Sequence, residues 1–374
     1  MQNSKLKIDR IVFWEPSLSP HKIDLINEIK RIRPHYEVLY ISAKGISEER
    51  KKLGWNESGY ESCIVNPSPA WIENAFSLNA KETIHIFSGF KGGYTFKYAL
   101  KMLKKYNRKF FILSEPRASE GFKGFLRFLD SLIFENWYKN HVSSVFAIGI
   151  NGPLWFEKIG YNINKLKLFG YFVDNYRFKT IDYHASDKIK IGFLGRTVEE
   201  KGIFDFINVA NLMPNLNFNV IGTSNNLENL IESNKNLKNL NFFGSVNIVE
   251  IPNILHGLDI VILPSHTTDD GWGMIISEAL MSGCYVITTD KVGSSVLIFR
   301  NEIGVVTSIK NPHQMKSAIQ SAIDHHFLSL PYREKRKTWA LRNLGADNGA
   351  KYLLDVIENN VEYTFFDKNF EASL

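Results

Sequence analysis

The feature that most constrains this chain is a recurring alternation. Short apolar runs rich in β-branched residues each open into a polar or glycine-bearing loop, and an amphipathic stretch follows. Asp259 to Leu263 (Asp-Ile-Val-Ile-Leu), closed by Pro264-Ser265, has the composition of a parallel strand buried on both faces. Arg10 to Trp14, Glu37 to Ile41, Thr83 to Phe87, Lys109 to Leu113 and Ser143 to Ile148 repeat the pattern in the first half. Lys190 to Leu194, Asn217 to Ile221, Asn241 to Phe243 and Tyr285 to Thr288 repeat it in the second. Such alternation predicts an α/β protein with doubly wound parallel sheets. At 374 residues the chain exceeds one typical domain. A polar stretch without apolar periodicity, residues 173 to 188, separates an expected first domain (1–175) from a second (188–345). Residues 346–374 add a helix over Ala350 to Ile357 and an aromatic end, Tyr363-Thr364-Phe365-Phe366. That end needs a surface to bury itself on, and a return to the first domain is expected.

Composition removes several function classes. Only Cys63 and Cys284 are present, so no disulfide framework or cysteine-rich zinc site is available, and a reducing compartment fits. The first residues lack the apolar stretch of a signal peptide, and no run approaches a membrane span. A soluble or peripherally attached protein is expected. The net charge of +6 conceals an asymmetry. Residues 1–180 carry 28 Lys and Arg against 17 Asp and Glu, and the remainder carries 17 against 22. An extended anionic partner would therefore meet the first half.

Two stretches of the second half carry chemistry. Gly195-Arg196-Thr197-Val198-Glu199-Glu200-Lys201-Gly202 leaves a buried strand directly. Its two cations suit a diphosphate, although a solvated charged loop would look the same. Asp270-Gly271-Trp272-Gly273-Met274 opens a helix that carries Glu278. A helix start offers unpaired N–H groups and a positive dipole end, and two flanking carboxylates suit a ligand with phosphates and sugar hydroxyls. The alternative is a helix-capping Asp270 and a solvated helix Glu278. Both loops are expected to leave the carboxyl ends of parallel strands, where open α/β sheets bind ligands. The joint presence of the two loops favours the binding reading.

Taken in order, Gly195-Arg196, Lys201-Gly202, Pro264-Ser265, and Asp270 with Glu278 resemble the donor domain of a GT-B fold glycosyltransferase of family 4, the large retaining group. The resemblance covers residues 188 to 325 and extends to the first half only in alternation and length. It implies two Rossmann-like domains facing a cleft. It also implies that Arg196 and Lys201 hold the donor diphosphate and that Glu278 accepts the ribose hydroxyls. Gly271, Trp272, Gly273 and Met274 would present backbone N–H groups, and Asp270 would bind sugar hydroxyls near the reacting carbon. Gly195 opens the diphosphate loop, and Gly244 with Val246 would lie beside the base. Asp270, Arg196 and Lys201 are thus the expected catalytic residues. The family usually has Glu where this chain has Asp270, so the carboxylate is one methylene shorter. Many members also have a His after a first-domain strand, where this chain has Ser114-Glu115-Pro116.

The remaining candidates lie in the first half. His21 (beside Lys22), Gly89 in the loop Ser88-Gly89-Phe90-Lys91-Gly92-Gly93, and Glu115 are candidates for the cleft or acceptor, with a plain turn or structural role as the alternative. His85 is expected to pack inside a strand. His266, Asp269 and Asp270 have no metal-motif spacing, and GT-B enzymes generally need no bound metal, so neither metal nor cofactor is expected beyond the nucleotide-sugar co-substrate. Lys97, Lys101, Lys104, Lys105, Arg108 and Lys109 alternate with apolar residues, and Phe122, Phe125, Leu126, Phe128 and Leu129 follow with Lys123 and Arg127. These either cover the sheet or lie on an anionic bilayer. The expected function is transfer of a sugar, with retention, from a nucleotide sugar to a hydroxyl of a glycan or lipid-linked glycan. The expected setting is bacterial surface polysaccharide (capsule or lipopolysaccharide) synthesis at the cytoplasmic face of the membrane. The rivals are a nucleotide-sugar epimerase or phosphorylase and, from another class, a non-enzymatic nucleic-acid-binding protein. The reading adopted has no nucleic-acid partner.

Overall fold

Ile11, Val12, Phe13 and Trp14 are each at most 1% exposed, so the strand that carries them is covered on both faces. That is the environment of a parallel strand between helical layers, and the computed structural model places it there. The structure describes residues 8–52, 63–77, 82–179, 188–361 and 363–370. They form two compact units, residues 1–174 with 345–365 and residues 175–344 with 366–374. Half of the polar segment expected as the linker, residues 180–187, lies outside the described residues.

The first unit contains β1 (Arg10–Glu15), β2 (Glu37–Ser42), β3 (Cys63–Val65), β4 (Thr83–Phe87), β5 (Phe110–Ser114), β6 (Val142–Ile148) and β7 (Leu166–Phe169). The sheet order is β3-β2-β1-β4-β5-β6-β7, and all pairs are parallel. β1 sits where the order reverses, with Arg10 paired to Glu37 on one side and Thr83 on the other. The second unit contains β8 (Lys190–Leu194), β9 (Asn217–Ile221), β10 (Leu240–Gly244), β11 (Ile260–Leu263), β12 (Tyr285–Thr289) and β13 (Gly304–Thr307). Its order is β10-β9-β8-β11-β12-β13, again parallel. Both sheets thus reverse beside their first strand, at β1/β4 and at β8/β11. Crevices outside the carboxyl ends of strands at such reversals are where these sheets take ligands.

The strands β3, β7 and β13 are absent from the sequence reading. They are edge strands of three or four residues, too short to display a period. Val65 and Val306, 45% and 37% exposed, lack the buried character that marks the central strands.

The C-terminal segment, expected as one piece on the first domain, divides in the structure. Helix Ala346–Asn359 packs on helix Pro20–Ile32 in the first unit, and Glu358 pairs with Arg33 at 2.7 Å. The Ala346 N–H donates to the Val173 carbonyl at 3.0 Å, and Phe365 meets Phe172 edge-on. Residues 366–374 belong instead to the second unit. There Phe366 packs against Phe299 and Trp339, and the Trp339 indole donates to the Asp367 carbonyl at 2.7 Å. The consecutive residues Phe365 and Phe366 thus find separate apolar partners at a bend of the tail.

Candidate functional site

At the reversal of the second sheet, the loop after β8 is drawn against the end of β11. Gly202 has φ 74°, and a Cβ there would lie 2.1 Å from the Pro264 carbonyl oxygen, so only glycine allows this approach. The His266 N–H donates to the Glu200 carbonyl at 2.8 Å and fastens the two loops. Lys201 is thereby aimed across the reversal. Its ammonium pairs with one carboxylate oxygen of Asp270, and the Ser265 hydroxyl donates to the other. The two charged side chains are 12% and 14% exposed, so the pair is largely desolvated yet still open to solvent.

The turn after Asp270 is held from its far side. The Gly293 and Ser294 N–H groups donate to the Asp270 and Trp272 carbonyls at 2.9 and 2.8 Å. Gly273 has φ 80°, and a Cβ there would meet Val292 at 2.6 Å. Helix Met274–Met281 then begins, and its first N–H groups have no acceptor within the helix. The Trp272 side chain is buried and donates to the Ser277 hydroxyl at 2.9 Å, so it anchors the turn while the backbone remains the part that can face a ligand. Glu278 is 6% exposed, and burial pushes its carboxyl up to about 7, against the opposing charge of Arg177. Arg196 is exposed and makes no ion pair among the described residues. Gly195 and Gly244 sit at the ends of β8 and β10, on either side of β9, and are linked through it by Gly195 N–H to Ile221 carbonyl (3.0 Å) and Gly222 N–H to Gly244 carbonyl (2.7 Å). Val246 helps line a cavity of about 440 Å³ on the β8–β9–β10 side, together with Ile221, Asn241 and Phe243. His266 turns to Asp205, at 2.7 Å, while Asp270 turns to Lys201, so two of the three residues considered for a metal engage different partners.

The reversal of the first sheet carries a comparable cluster. Glu15 ends β1, and its carboxylate accepts from the Lys22 ammonium at 2.7 Å and from the Ser88 hydroxyl after β4. Lys22 also donates to Ser88 at 2.8 Å and lies 5.9 Å from the centre of the Tyr171 ring. Burial and the neighbouring carboxylates of Glu115 and Glu15 hold the Tyr171 phenol well above its usual range. Glu115 therefore engages Tyr171. Gly89 has φ 77° and lies against Ser114. The His21 side chain lies outside the described residues, although its backbone belongs to helix Pro20–Ile32. His85 is buried in β4, accepts from the Trp14 indole at 3.2 Å and stacks on Phe76 at 4.2 Å. Burial pushes it down to about 3, which keeps it neutral, as the sequence reading of a packed strand histidine requires.

Residues 177–340 match the family Glycosyl transferases group 1. Among curated proteins, the chain is 34% identical over 122 residues to a processive diacylglycerol alpha-glucosyltransferase of Acholeplasma laidlawii, covering 32% of this chain and 36% of that protein. It is 26% identical over 184 residues to the capsular polysaccharide biosynthesis glycosyltransferase CapM of Staphylococcus aureus, covering 47% of this chain and 44% of that one. The chain thus spans less than half the length of either relative. The structure of Anabaena Alr3699/HepE in complex with UDP superposes with a TM-score of 0.74 at 15% identity, covering 93% of this chain and 99% of that one. At that identity the likeness shows the fold, two Rossmann-like α/β units of the GT-B type.

The group 1 match begins at Arg177, a residue that sequence reasoning passed over. It lies in the polar stretch taken as linker, and only folding brings its guanidinium near Glu278. Ser265 is the second omission. Its role as a donor to Asp270 was hidden behind its reading as the end of β11.

Proposed function

We propose that the chain is a retaining glycosyltransferase of family 4. It moves a sugar from a nucleoside diphosphate sugar to a hydroxyl of a glycan or lipid-linked glycan. The observation that carries the reading is the Lys201–Asp270 pair, desolvated but open, beside the helix start at Gly273. Lys201 and Arg196 hold the diphosphate, and because Lys201 is mostly out of water its charge acts more strongly on a phosphate than a surface lysine would. Backbone N–H groups from Gly271 to Met274 complete the anion site. Glu278, in its ionised form, accepts the two ribose hydroxyls. Gly195, Gly244 and Val246 flank the base, and Asp270 receives hydroxyls of the sugar.

In the reaction the bond between the anomeric carbon and the diphosphate oxygen breaks and the acceptor oxygen bonds to that carbon. The acceptor's proton leaves with the diphosphate. Charge grows on the departing oxygen, and fixed donors aimed at it supply the acceleration. The acceptor is bound by the loops at the carboxyl edge of the first sheet, which include His21, Gly89 and Glu115. The names of the two curated relatives support a setting in bacterial surface polysaccharide or glycolipid synthesis, and a chain with only two cysteines suits the cytoplasm.

Titration of UDP against the wild type and the variants Arg196→Ala, Lys201→Ala and Glu278→Ala tests the donor site. Each substitution should weaken binding by about tenfold or more, the loss of one charge-assisted contact. Unchanged affinity in all three would end this assignment. Incubation with nucleotide sugars alone separates the epimerase rival, which would return isomerised donor.

A further inference from the structure

Helix Gly121–Phe134 of the first unit leaves most of its large apolar residues exposed. A helix covering a sheet buries its large apolar residues and exposes its polar ones. Here the buried positions are Gly124 and Ser131, and a Cβ at Gly124 would lie 2.2 Å from the Ser119 backbone. Of its large apolar side chains Phe128 packs against the core, while most of the others point the other way. Phe122 and Ile133 are 75% and 74% exposed, with Phe125 at 54% and Leu126 at 49% between them. Their spacing of three, four and seven residues makes one continuous stripe.

The charges around this stripe are mostly of one sign. The helix has a single acidic residue, Asp130, and Arg117 and Lys91 hold its carboxyl below the usual range. Lys123 is exposed on the helix itself. The preceding helix, Gly93–Lys105, has no acidic residue and exposes Lys97, Lys101 and Lys104. Lys91, just before that helix, lies 5.1 Å from the ring centre of Phe134 at the stripe's end, and its Lys104 lies 4.9 Å from that of Trp137, just beyond helix Gly121–Phe134. An apolar stripe framed by lysines is complementary to one kind of surface, an apolar layer beneath negative charges. Among the described residues no helix is long and apolar enough to cross a membrane, so a helix of this kind would lie in the plane of the bilayer.

We propose that helix Gly121–Phe134 is a membrane-docking element that inserts Phe122, Phe125, Leu126 and Ile133 into the headgroup boundary of an anionic bilayer. The lysines of helix Gly93–Lys105 attract the phosphates. This inference does not rest on the donor-site reading, because bare vesicles carry neither nucleotide nor glycan.

Co-sedimentation of the full chain with vesicles of equal parts phosphatidylglycerol and phosphatidylcholine tests it. The wild type should partition into the pellet, and pure phosphatidylcholine or high salt should reduce this by about tenfold, as expected when several lysines contribute. The double variant Phe122→Ser, Ile133→Ser should lose binding by about tenfold or more while keeping its melting temperature and UDP affinity, because both side chains are already exposed. Emission from the variant Phe122→Trp, compared with the unsubstituted chain, should gain a blue-shifted component on adding anionic vesicles. Equal pelleting of wild type and double variant would overturn the proposal. So would an emission difference between Phe122→Trp and the unsubstituted chain that vesicles leave unchanged. Sedimentation-velocity data showing a dimer that the double variant dissolves would also overturn it, by making a second copy the occupant of the stripe.

Discussion

The two sheets place the same three side-chain types at the same point of their topology. Lys22, Glu15 and Ser88 meet at the β1/β4 reversal, and Lys201, Asp270 and Ser265 meet at the β8/β11 reversal. They differ in access to solvent. The first pair's side chains are 3% and 7% exposed, the second's 12% and 14%. A fully enclosed ion pair has its charges committed to each other, and removing one partner strands the other. A pair left ajar can exchange part of that attraction for an incoming anion. One arrangement therefore serves as a fastener in the first unit and suits a receptor in the second.

The contrast can be broken most directly at the two lysines. Lys22→Ala should lower unfolding free energy by about 3–5 kcal/mol, the cost of an orphaned buried charge, measured by urea denaturation. Replacing both partners, with Lys22→Met and Glu15→Leu, should restore most of it. Lys201→Ala should leave stability within about 1 kcal/mol, since Asp270 can be rehydrated, but should lower sugar-transfer turnover by a factor of about a hundred or more, as loss of a charge-stabilising group does. If the two substitutions had the same stability cost, the distinction between fastener and receptor would fail.

Glu278 sharpens the comparison through pH. Its carboxyl stands at about 7, against an ordinary 4.5. At pH values below 4.5 folded and unfolded chains both hold the proton and the residue is neutral in its effect. As pH rises the unfolded chain ionises first, so stability is lost progressively up to about pH 7 and stays lower beyond it, by about 3 kcal/mol. Glu278→Gln should therefore be more stable than wild type at about pH 8 by up to that amount, with the gap closing towards about pH 5. Nucleotide binding should run the opposite way. Wild-type UDP affinity should fall about tenfold per pH unit below about 7, as the ribose acceptor is protonated, while the Gln variant should show weak affinity without that slope. The smallest effects are expected at the serines. Ser88→Ala should cost about 1.5 kcal/mol of stability, whereas Ser265→Ala should change stability little and raise the donor KM by a few-fold.

The same contrast explains what could be read from the sequence. β4, β8 and β9 were legible to the residue because each is a short run rich in apolar residues that stops at a Ser or Gly loop. The Gly195–Gly202 and Asp270–Glu278 stretches were legible because glycines, cations and carboxylates recur there at short range. What was not legible is long-range. Lys201 and Asp270 are 69 residues apart, and Lys22 and Ser88 are 66 apart. Their pairing follows from strand order, which alternation alone does not give. Helix Gly121–Phe134 shows a third limit. Its apolar period announced an amphipathic helix, but period does not say which side faces the sheet. The inward side holds Gly124, Ser131 and Phe128, and that choice is made only by the packing of the folded unit.

The division of the C-terminal segment bears on how the protein is made. Residues 1–174 are synthesised first, but helix Ala346–Asn359, which covers helix Pro20–Ile32, leaves the ribosome only after nearly all of the second unit. Domains commonly fold in the order of their synthesis. Here the first unit to begin is the last to be completed, with one side of helix Pro20–Ile32 available to chaperones until the closing helix arrives.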